Sequence, residues 1–221
     1  MRSKEIENLS HHLKLTDEQR EILIGTMLGD GHLETKNNGR TYRLKIEHTV
    51  RQRSYVEWFY KKFQDWVMTA PVVRSRAITF RGQTKTYDRI GFATISTGSL
   101  RFYAQQFYQN GEKVIPKLVH RWLTPMSLAV WYMDDGSIKS KHHKTIFLNT
   151  HSFTDPDLKR LQNVFEKKYG IKTSIRIQKD GKQIYFLSET VEIFLKLIEP
   201  YVIPSMLYKL PIVWLTSLPK M

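Results

Sequence analysis

Two apolar stretches that both end in Asp-Gly constrain the fold of this chain more than any other feature. They read LIGTMLGDG at residues 23–31 and LAVWYMDDG at residues 128–136. The tripeptide VIP follows each of them, at residues 114–116 and 202–204. Repetition of this kind indicates a duplicated structural unit. The chain is therefore predicted to contain two related halves.

Helix-start signals precede both stretches. Thr16 and Gln19 form a capping-box pattern, and Thr124 precedes a proline that suits the first helical position. We therefore predict one helix from about Asp17 to Gly29 and a second that begins at Thr124. Both helices should end at their Asp-Gly dipeptide.

The remaining segments repeat one order of elements. Alternating and amphipathic hydrophobic patterns predict strands and helices respectively, with hairpin turns at Gly82 and at Asp180-Gly181. The predicted strands are 42–47, 72–80, 87–96, 145–150, 173–178 and 183–187, and the further helices are 55–66, 100–108, 155–169 (capped by Asp155-Pro156) and 190–198. This order predicts an α+β fold with the pattern αββαββα twice. The expected divisions are an N-terminal extension at 1–14, a first repeat at 15–122 and a second at 123–221.

Charge and cysteine content limit the classes of function. Lys and Arg number 35 against 21 Asp and Glu, which gives a formal charge of +14 and favours a polyanionic partner. With no cysteine, a disulfide scaffold, a thiolate zinc site and a cysteine nucleophile are excluded. No apolar run has the length of a membrane span, so we expect an intracellular protein that does not contact membranes. Mitochondrion, chloroplast and bacterial cytoplasm all remain open.

Basic residues fall in the strand and hairpin segments rather than in one block. Any one of them could serve solubility alone, but as a set in so basic a chain they predict nucleic-acid contact. A further basic loop follows the second stretch and suits contact with phosphates. The strand and hairpin set is Arg43, Lys45, Arg74, Arg76, Arg81, Lys85, Arg89, Arg176, Lys179 and Lys182, and the loop set is Lys139, Lys141, His142, His143 and Lys144.

Each predicted helix ends in an aspartate, although a negative charge at a helix C-terminus opposes the helix dipole. One instance could be an ordinary turn dipeptide, but two at matching positions indicate a function. If the two helices pack together, Asp30 and Asp135 lie side by side, with Gly25, Gly29 and Ala129 as small residues at the helix interface. Close carboxylates repel unless a divalent cation lies between them, and Mg²⁺ suits such a site.

The sequence resembles a known family at these residues. LIGTMLGDG and LAVWYMDDG are similar to the two signature helices of the monomeric, two-motif LAGLIDADG homing endonucleases. The stretches LTPMSLAVWYMDDG (123–136), LNTHSFT (148–154) and IPSMLYKLP (203–211) resemble the omega-type intron-encoded enzymes. The resemblance covers the chain from about Leu15. It implies two antiparallel sheets that form a DNA-binding saddle around the two packed helices.

The resemblance also implies a metal site. The last acidic residue of each motif would hold Mg²⁺, with Mn²⁺ as a substitute, which selects Asp30 and Asp135. Gly29 and Asp134, which precede them, are the further candidate metal ligands.

Other catalytic roles follow from the same resemblance. Lys113 and Lys209 match the family's lysines near the scissile phosphates, and Lys45 and Asn149 match a polar strand residue beside each metal. That strand position usually carries an amide, so Lys45 departs from the pattern and suggests that one DNA strand is cut faster. Val130 stands where the motif commonly has glycine, so the helix interface need not be symmetric.

The leading hypothesis is therefore a site-specific endonuclease that makes a Mg²⁺-dependent double-strand break in a long asymmetric DNA target and initiates intron mobility. The alternative is a protein of the same fold that does not cut, either an RNA maturase that binds intron RNA or a DNA-binding regulator. Composition does not separate the two, but the carboxylate pair favours the enzyme. A structural basic protein, such as a ribosomal component, poorly explains the duplicated helices.

Overall fold

A computed structural model describes residues 4–80, 83–140 and 143–217. Four positions of the sequence analysis, namely Arg81, Gly82, Lys141 and His142, lie outside these residues. The chain divides into two compact units, Met1–Gln19 with Asp30–Ala104 and Arg20–Gly29 with Gln105–Met221. No helix in the described ranges is both long enough and apolar enough to cross a membrane.

The first unit contains a four-stranded antiparallel sheet in the order β1-β2-β4-β3. Helix α2 ends in the second unit, and α4 crosses into it. The elements are α1 (Lys4–His12), α2 (Asp17–Leu28), β1 (His32–Glu34), β2 (Arg43–Thr49), α3 (Arg53–Lys62), β3 (Val72–Phe80), β4 (Gln83–Ala93) and α4 (Arg101–Phe107).

Strand β2 shows why this sheet has two different faces. Leu44, Ile46 and His48 are buried, whereas the side chains between them are partly exposed. The buried residues pack beneath α3, whose Tyr55 and Phe59 are also buried. One face therefore covers the core, and the other, the first open face, is accessible to a ligand.

The second unit contains a sheet in the order β7-β8-β10-β9. Its strands follow one another along the chain as those of the first sheet do, so the two sheets share one topology. The elements are β5 (Tyr108–Gln109), β6 (Glu112–Lys113), α5 (Val119–Trp122), α6 (Pro125–Asp135), β7 (Gly136–Ile138), β8 (Ile146–Asn149), α7 (Asp155–Tyr169), β9 (Thr173–Gln178), β10 (Gly181–Phe186), α8 (Val191–Ile198) and α9 (Ile212–Leu215).

Local signals define the ends of the helices in this unit. Thr124 caps α6 in a reciprocal capping box with Ser127, and a left-handed Gly170, at φ 65°, ends α7. Phe165 of α7 and Phe194 of α8 contact Phe186 of β10 in an aromatic cluster. Helices α7 and α8 therefore cover the inner face of the sheet.

The αββαββα order and the α+β class are confirmed in both halves, with several differences in detail. A short strand directly follows each Asp-Gly, namely β1 and β7, and it had not been located from the sequence. Helix α1 lies within what was predicted only as an extension. The predicted helix 55–66 stops at Lys62, and Trp66 belongs to a separate 3-10 turn.

Other boundaries shift for physical reasons. Strand β4 starts at Gln83 rather than residue 87, because its first residues pair with β3 while both faces stay exposed, which leaves no hydrophobic alternation to detect. Thr154, and not Asp155, caps α7, since its hydroxyl accepts from the backbone of Asp157. Gly181 pairs with Gln178 as part of β10, so that hairpin turns one residue earlier than predicted.

Candidate active site and nucleic-acid interface

The end of α2 packs closely against α6 within the second unit. A Cβ atom on Gly25 would lie 2.5 Å from the backbone oxygen of Ser127 and 2.6 Å from Cβ of Val130. Gly29 is equally confined, because a Cβ there would lie 2.5 Å from Cβ of Asp134. Only glycine fits at either position.

Ala129, the small residue predicted on the partner helix, does not supply the atoms nearest to Gly25. Ala129 is buried in α6, but Ser127 and Val130 supply the atoms nearest to Gly25. The larger Val130 therefore fills the space that Gly25 leaves. The helix interface is asymmetric, as the unusual valine in the motif indicated.

The adjacent aspartates of α6 have different surroundings. Asp134 is buried, and its Oδ2 accepts a 3.0 Å hydrogen bond from the hydroxyl of Thr26 on α2. Asp135 is the last residue of the helix, and its Oδ2 accepts from the indole nitrogen of Trp131 at 3.2 Å. Asp134 thus contributes to helix packing, whereas Asp135 is more accessible at the helix end.

Two lysines contact equivalent backbone atoms at the ends of the signature helices. The Nζ of Lys113 donates to the carbonyl of Gly29 at 2.7 Å, and the Nζ of Lys209 donates to the carbonyl of Asp134 at 2.6 Å. The last carbonyls of a helix lack partners within it, and a cation there is favourable. These ammonium groups therefore offset the cost of placing an aspartate at the end of α6 or just beyond the end of α2.

An amide chain links the second sheet to the end of α6. The Nδ2 of Asn149 donates to the backbone carbonyl of Asp135 at 2.9 Å, and the Nε2 of Gln183 donates to Oδ1 of Asn149 at 2.8 Å. A recess of about 300 Å³ lies beside this amide chain and is lined in part by Asp134 and Lys209. Sequence analysis missed Gln183, because only the register of β10 against β8 places it opposite Asn149.

The first unit has different chemistry at the corresponding place. Lys45 lies opposite Ala93 rather than opposite an amide, and its Nζ is 3.6 Å from a carboxylate oxygen of Glu47. The Asp30 side chain is about half exposed, and its Oδ2 lies 3.7 Å from Nδ1 of His48. Lys45 and Asn149 therefore have different partners in the two units, and unequal cutting of the two DNA strands stays a prediction.

His48 is a second residue that sequence analysis missed. Its ring is buried against Tyr55 and Phe59, with ring centroids 5.1 and 6.4 Å apart. The alternation of Leu44, Ile46 and His48 in β2 was the available signal, since it places all three on the inner face. His48 is therefore a buried neighbour of the Asp30 carboxylate.

Most of the predicted basic residues of the first half share one side of their sheet. The strand registers place them on the first open face together with two carboxylates, Glu34 and Glu47. The cations of the first open face are Arg43, Lys45, Arg74, Arg76, Lys85 and Arg89.

The second sheet presents a different surface, which we call the second open face. It carries Ser137, Phe147, Asn149, Ser174, Arg176, Gln178, Gln183 and Tyr185. Only Arg176 among these is charged. The two sheets therefore share a topology but differ in surface chemistry.

The other predicted DNA-binding residues of the second half that the structure describes lie outside the second open face. Lys182 is on the other face of β10 and pairs with Asp155, because the strand alternation turns it away from Gln183. Lys144 donates to Glu192 at 2.6 Å, and this contact lowers the pKa of Glu192. Both lysines therefore form ion pairs with carboxylates of the second unit. Lys139 and His143 lie between β7 and β8, and Lys179 lies in the β9–β10 turn.

Comparisons with known proteins agree with this architecture. The sequence profile of the LAGLIDADG DNA endonuclease family matches residues 20–194. A probable intron-encoded endonuclease 1 of Wickerhamomyces canadensis is 31% identical over 87% of this chain and 83% of its own length. The cytochrome b mRNA maturase bI2 of Debaryomyces hansenii is 29% identical over 89% of this chain and 74% of its own length.

A solved structure extends the similarity to three dimensions. The homing endonuclease I-WcaI bound to its DNA recognition sequence superposes with a TM-score of 0.84 at 28% identity, over 94% of this chain and 92% of that one. The sequence and the fold of this chain therefore both match LAGLIDADG endonucleases. This chain belongs to the LAGLIDADG DNA endonuclease family.

Proposed function

We propose that this chain is a site-specific DNA endonuclease that makes a double-strand break in a long asymmetric target and so initiates mobility of its host intron. The observation that carries this proposal is the pair of equivalent helix ends. Each has an aspartate as the last acidic residue of its motif and a lysine on the carbonyl just before it. A protein that only binds has no evident use for repeating this costly arrangement.

The donor atoms at these helix ends fit a hard divalent cation. Asp30 and Asp135 supply carboxylate oxygens, the ligand type that Mg²⁺ prefers, and we assign the metal to them with Mn²⁺ as a substitute. Gly29 and Asp134 remain candidate ligands through their carbonyl oxygens, since a carbonyl has a second lone pair beside the one that accepts from lysine. When bound, Mg²⁺ supplies an activated water and stabilises negative charge on phosphodiester oxygens.

The protein side chains would then orient and stabilise the reacting groups. Lys113 and Lys209 place positive charge where negative charge develops on the scissile phosphates, and such fixed charges stabilise a transition state. Their carbonyl contacts hold both ammonium groups in position. Asn149 fixes the backbone of Asp135, and Lys45 would occupy the matching place in the first half.

The open faces of the sheets would bind double-stranded DNA. Lysine and arginine side chains contact phosphates and fix the protein's position, whereas contacts with base edges supply specificity. Because both motifs lie in one chain, we propose that a monomer of 26.2 kDa cuts both strands.

RNA maturase activity is the second candidate function. It is favoured by the similarity to the cytochrome b mRNA maturase bI2 of Debaryomyces hansenii, which extends over most of both chains. The same basic sheets could bind intron RNA, with or without DNA cleavage.

Cleavage of a randomised DNA library tests the proposal. We expect cut ends at one long motif with Mg²⁺ and none with EDTA. Asp30→Asn or Asp135→Asn should abolish double-strand cleavage and leave DNA affinity within about tenfold, since phosphate contacts dominate affinity. Asp65→Asn, which changes an exposed carboxylate of a 3-10 turn, is the matched control and should cut normally.

Two results would overturn the proposed endonuclease function. Normal cutting by Asp30→Asn or Asp135→Asn would remove these residues from catalysis. Enrichment of bound duplexes without cleavage would instead favour a maturase or a DNA-binding regulator.

A further inference from the structure

The first open face combines cations with carboxylates that the cations hold in place. Glu47 accepts from Nη1 of Arg89 at 3.3 Å and lies 3.6 Å from Nζ of Lys45. Glu34 pairs with the guanidinium of Arg43. These carboxylates are part of a cross-strand network, so they are presented to a ligand in a fixed orientation.

The same face places like charges side by side. Arg74 of β3 lies directly opposite Arg89 of β4, and like charges at such positions destabilise a sheet. A ligand with acceptor groups would relieve this repulsion. The first open face therefore favours a surface that offers both strong acceptors to arginine and donors to carboxylate.

The second open face offers amides and an aromatic surface with a single cation, whereas the first open face, which also carries the exposed Gln83 and Tyr87, is dominated by cations and carboxylates. The rings of Phe147 and Tyr185 stack at 6.2 Å with an interplanar angle of 4°, and the guanidinium of Arg176 lies 3.3 Å above the Tyr185 ring. The described strand residues of this face include no carboxylate. Gln178 is exposed and Phe147 is partly exposed, so an amide and an apolar edge are accessible.

These two chemistries match different base pairs in the major groove. Arginine and lysine pair with guanine O6 and N7, and carboxylates accept from cytosine N4. Asparagine and glutamine pair with adenine, whereas apolar side chains contact the thymine methyl group.

We infer that the target has two halves of unequal base composition. The half that the first open face contacts is rich in G·C pairs, and the half that the second open face contacts is rich in A·T pairs. This inference rests on the proposed function, because it assumes that each sheet binds its own half of one duplex.

Selection of bound duplexes tests the inference without requiring cleavage. A randomised duplex library is bound to the protein in EDTA, and the retained duplexes are sequenced and aligned. The expected consensus is G·C-rich in one half and A·T-rich in the other. Equal composition in the two halves would overturn the inference.

Two variants then assign each half to its sheet. Arg76→Gln should reduce the preference for G·C at one position of the G·C-rich half by about fivefold or more, and Gln178→Arg should change the A·T-rich half by a similar factor. Lys61→Gln, on the exposed surface of α3, is the control and should leave the consensus unchanged. A change in the opposite half would contradict the assignment.

The same experiment separates the two proposals. A strong consensus that is bound but not cut after addition of Mg²⁺ would remove the nuclease function and leave the inference on base composition standing. A consensus that is cut but has the same base composition in both halves would support the nuclease function and overturn the inference on base composition. Failure to enrich any duplex would overturn both.

Discussion

The two halves of this protein differ in the side chain at the strand position near each motif aspartate, which is Asn149 in the second half and Lys45 in the first. Asp135 has its carbonyl held by Asn149, which Gln183 holds in turn. In the first half Lys45 lies opposite Ala93, which has no polar side-chain atom. The groups around Asp30 and Asp135, the two aspartates proposed to be catalytic, are therefore positioned by different means, which should affect the two DNA strands differently.

Gln183→Leu should slow the cleavage of one strand only. The substitution removes the amide that holds Asn149, and loss of an outer partner of a metal site typically costs about 10- to 100-fold in activity or metal affinity. Nicking of each strand is measured separately with end-labelled duplexes, together with DNA affinity. Ser174→Ala, on the same sheet face, is the control. Equal slowing of both strands, or a loss of affinity that explains the slowing, would contradict the positioning role.

At the scale of elements, α2 and α6 depend on glycine at their contact. Gly25 leaves room for Val130 and for the backbone of Ser127, and no larger residue fits without movement of a helix. Gly98 provides a contrast, since a Cβ there would meet no heavy atom within 4 Å.

Gly25→Ala should therefore destabilise the fold by about 1–3 kcal/mol, the usual cost of overpacking. Gly98→Ala, the matched control, should change the free energy of unfolding by at most about 1 kcal/mol. Urea denaturation of both variants measures the difference. Equal stability of the two variants would mean that the helices can separate at little cost.

Sequence predicted these elements well where hydrophobic periodicity carried the signal. The paired motifs and the two glycines follow from spacing along the chain, and the strands at 72–80 and 173–178 have the predicted bounds. Gln183 and His48 were missed because their roles depend on which strand or side chain lies opposite them. Lys182 was misplaced because a strand residue next to a turn changes face with a shift of one position.

At the scale of the whole molecule, the formal charge is +14, and the part of it that lies on the two sheets is unevenly divided between them. Among the described strand residues, the first open face carries most of the cations, whereas the second carries only Arg176. Nonspecific attraction to the phosphate backbone should therefore come mainly from the first sheet.

Salt dependence measures this contribution. The logarithm of the association constant should fall with the logarithm of salt concentration by about 0.9 per phosphate contact. Arg74→Ala should reduce the magnitude of this slope by about one contact, whereas Lys61→Ala should leave it unchanged. An unaltered slope in Arg74→Ala would show that this arginine does not contact phosphate.

The close contact between Gly25 and Val130 also limits which repeats of related proteins can be combined with those of this chain in a chimera. Residues 20–29 come from the first repeat but pack with the second unit. A crossover between the repeats would therefore separate Gly25 from Val130, the residue that it contacts. Replacing the first repeat with one that carries alanine at position 25 would bring a methyl group against Val130. Chimeric proteins should therefore keep their stability only when the two positions are inherited together.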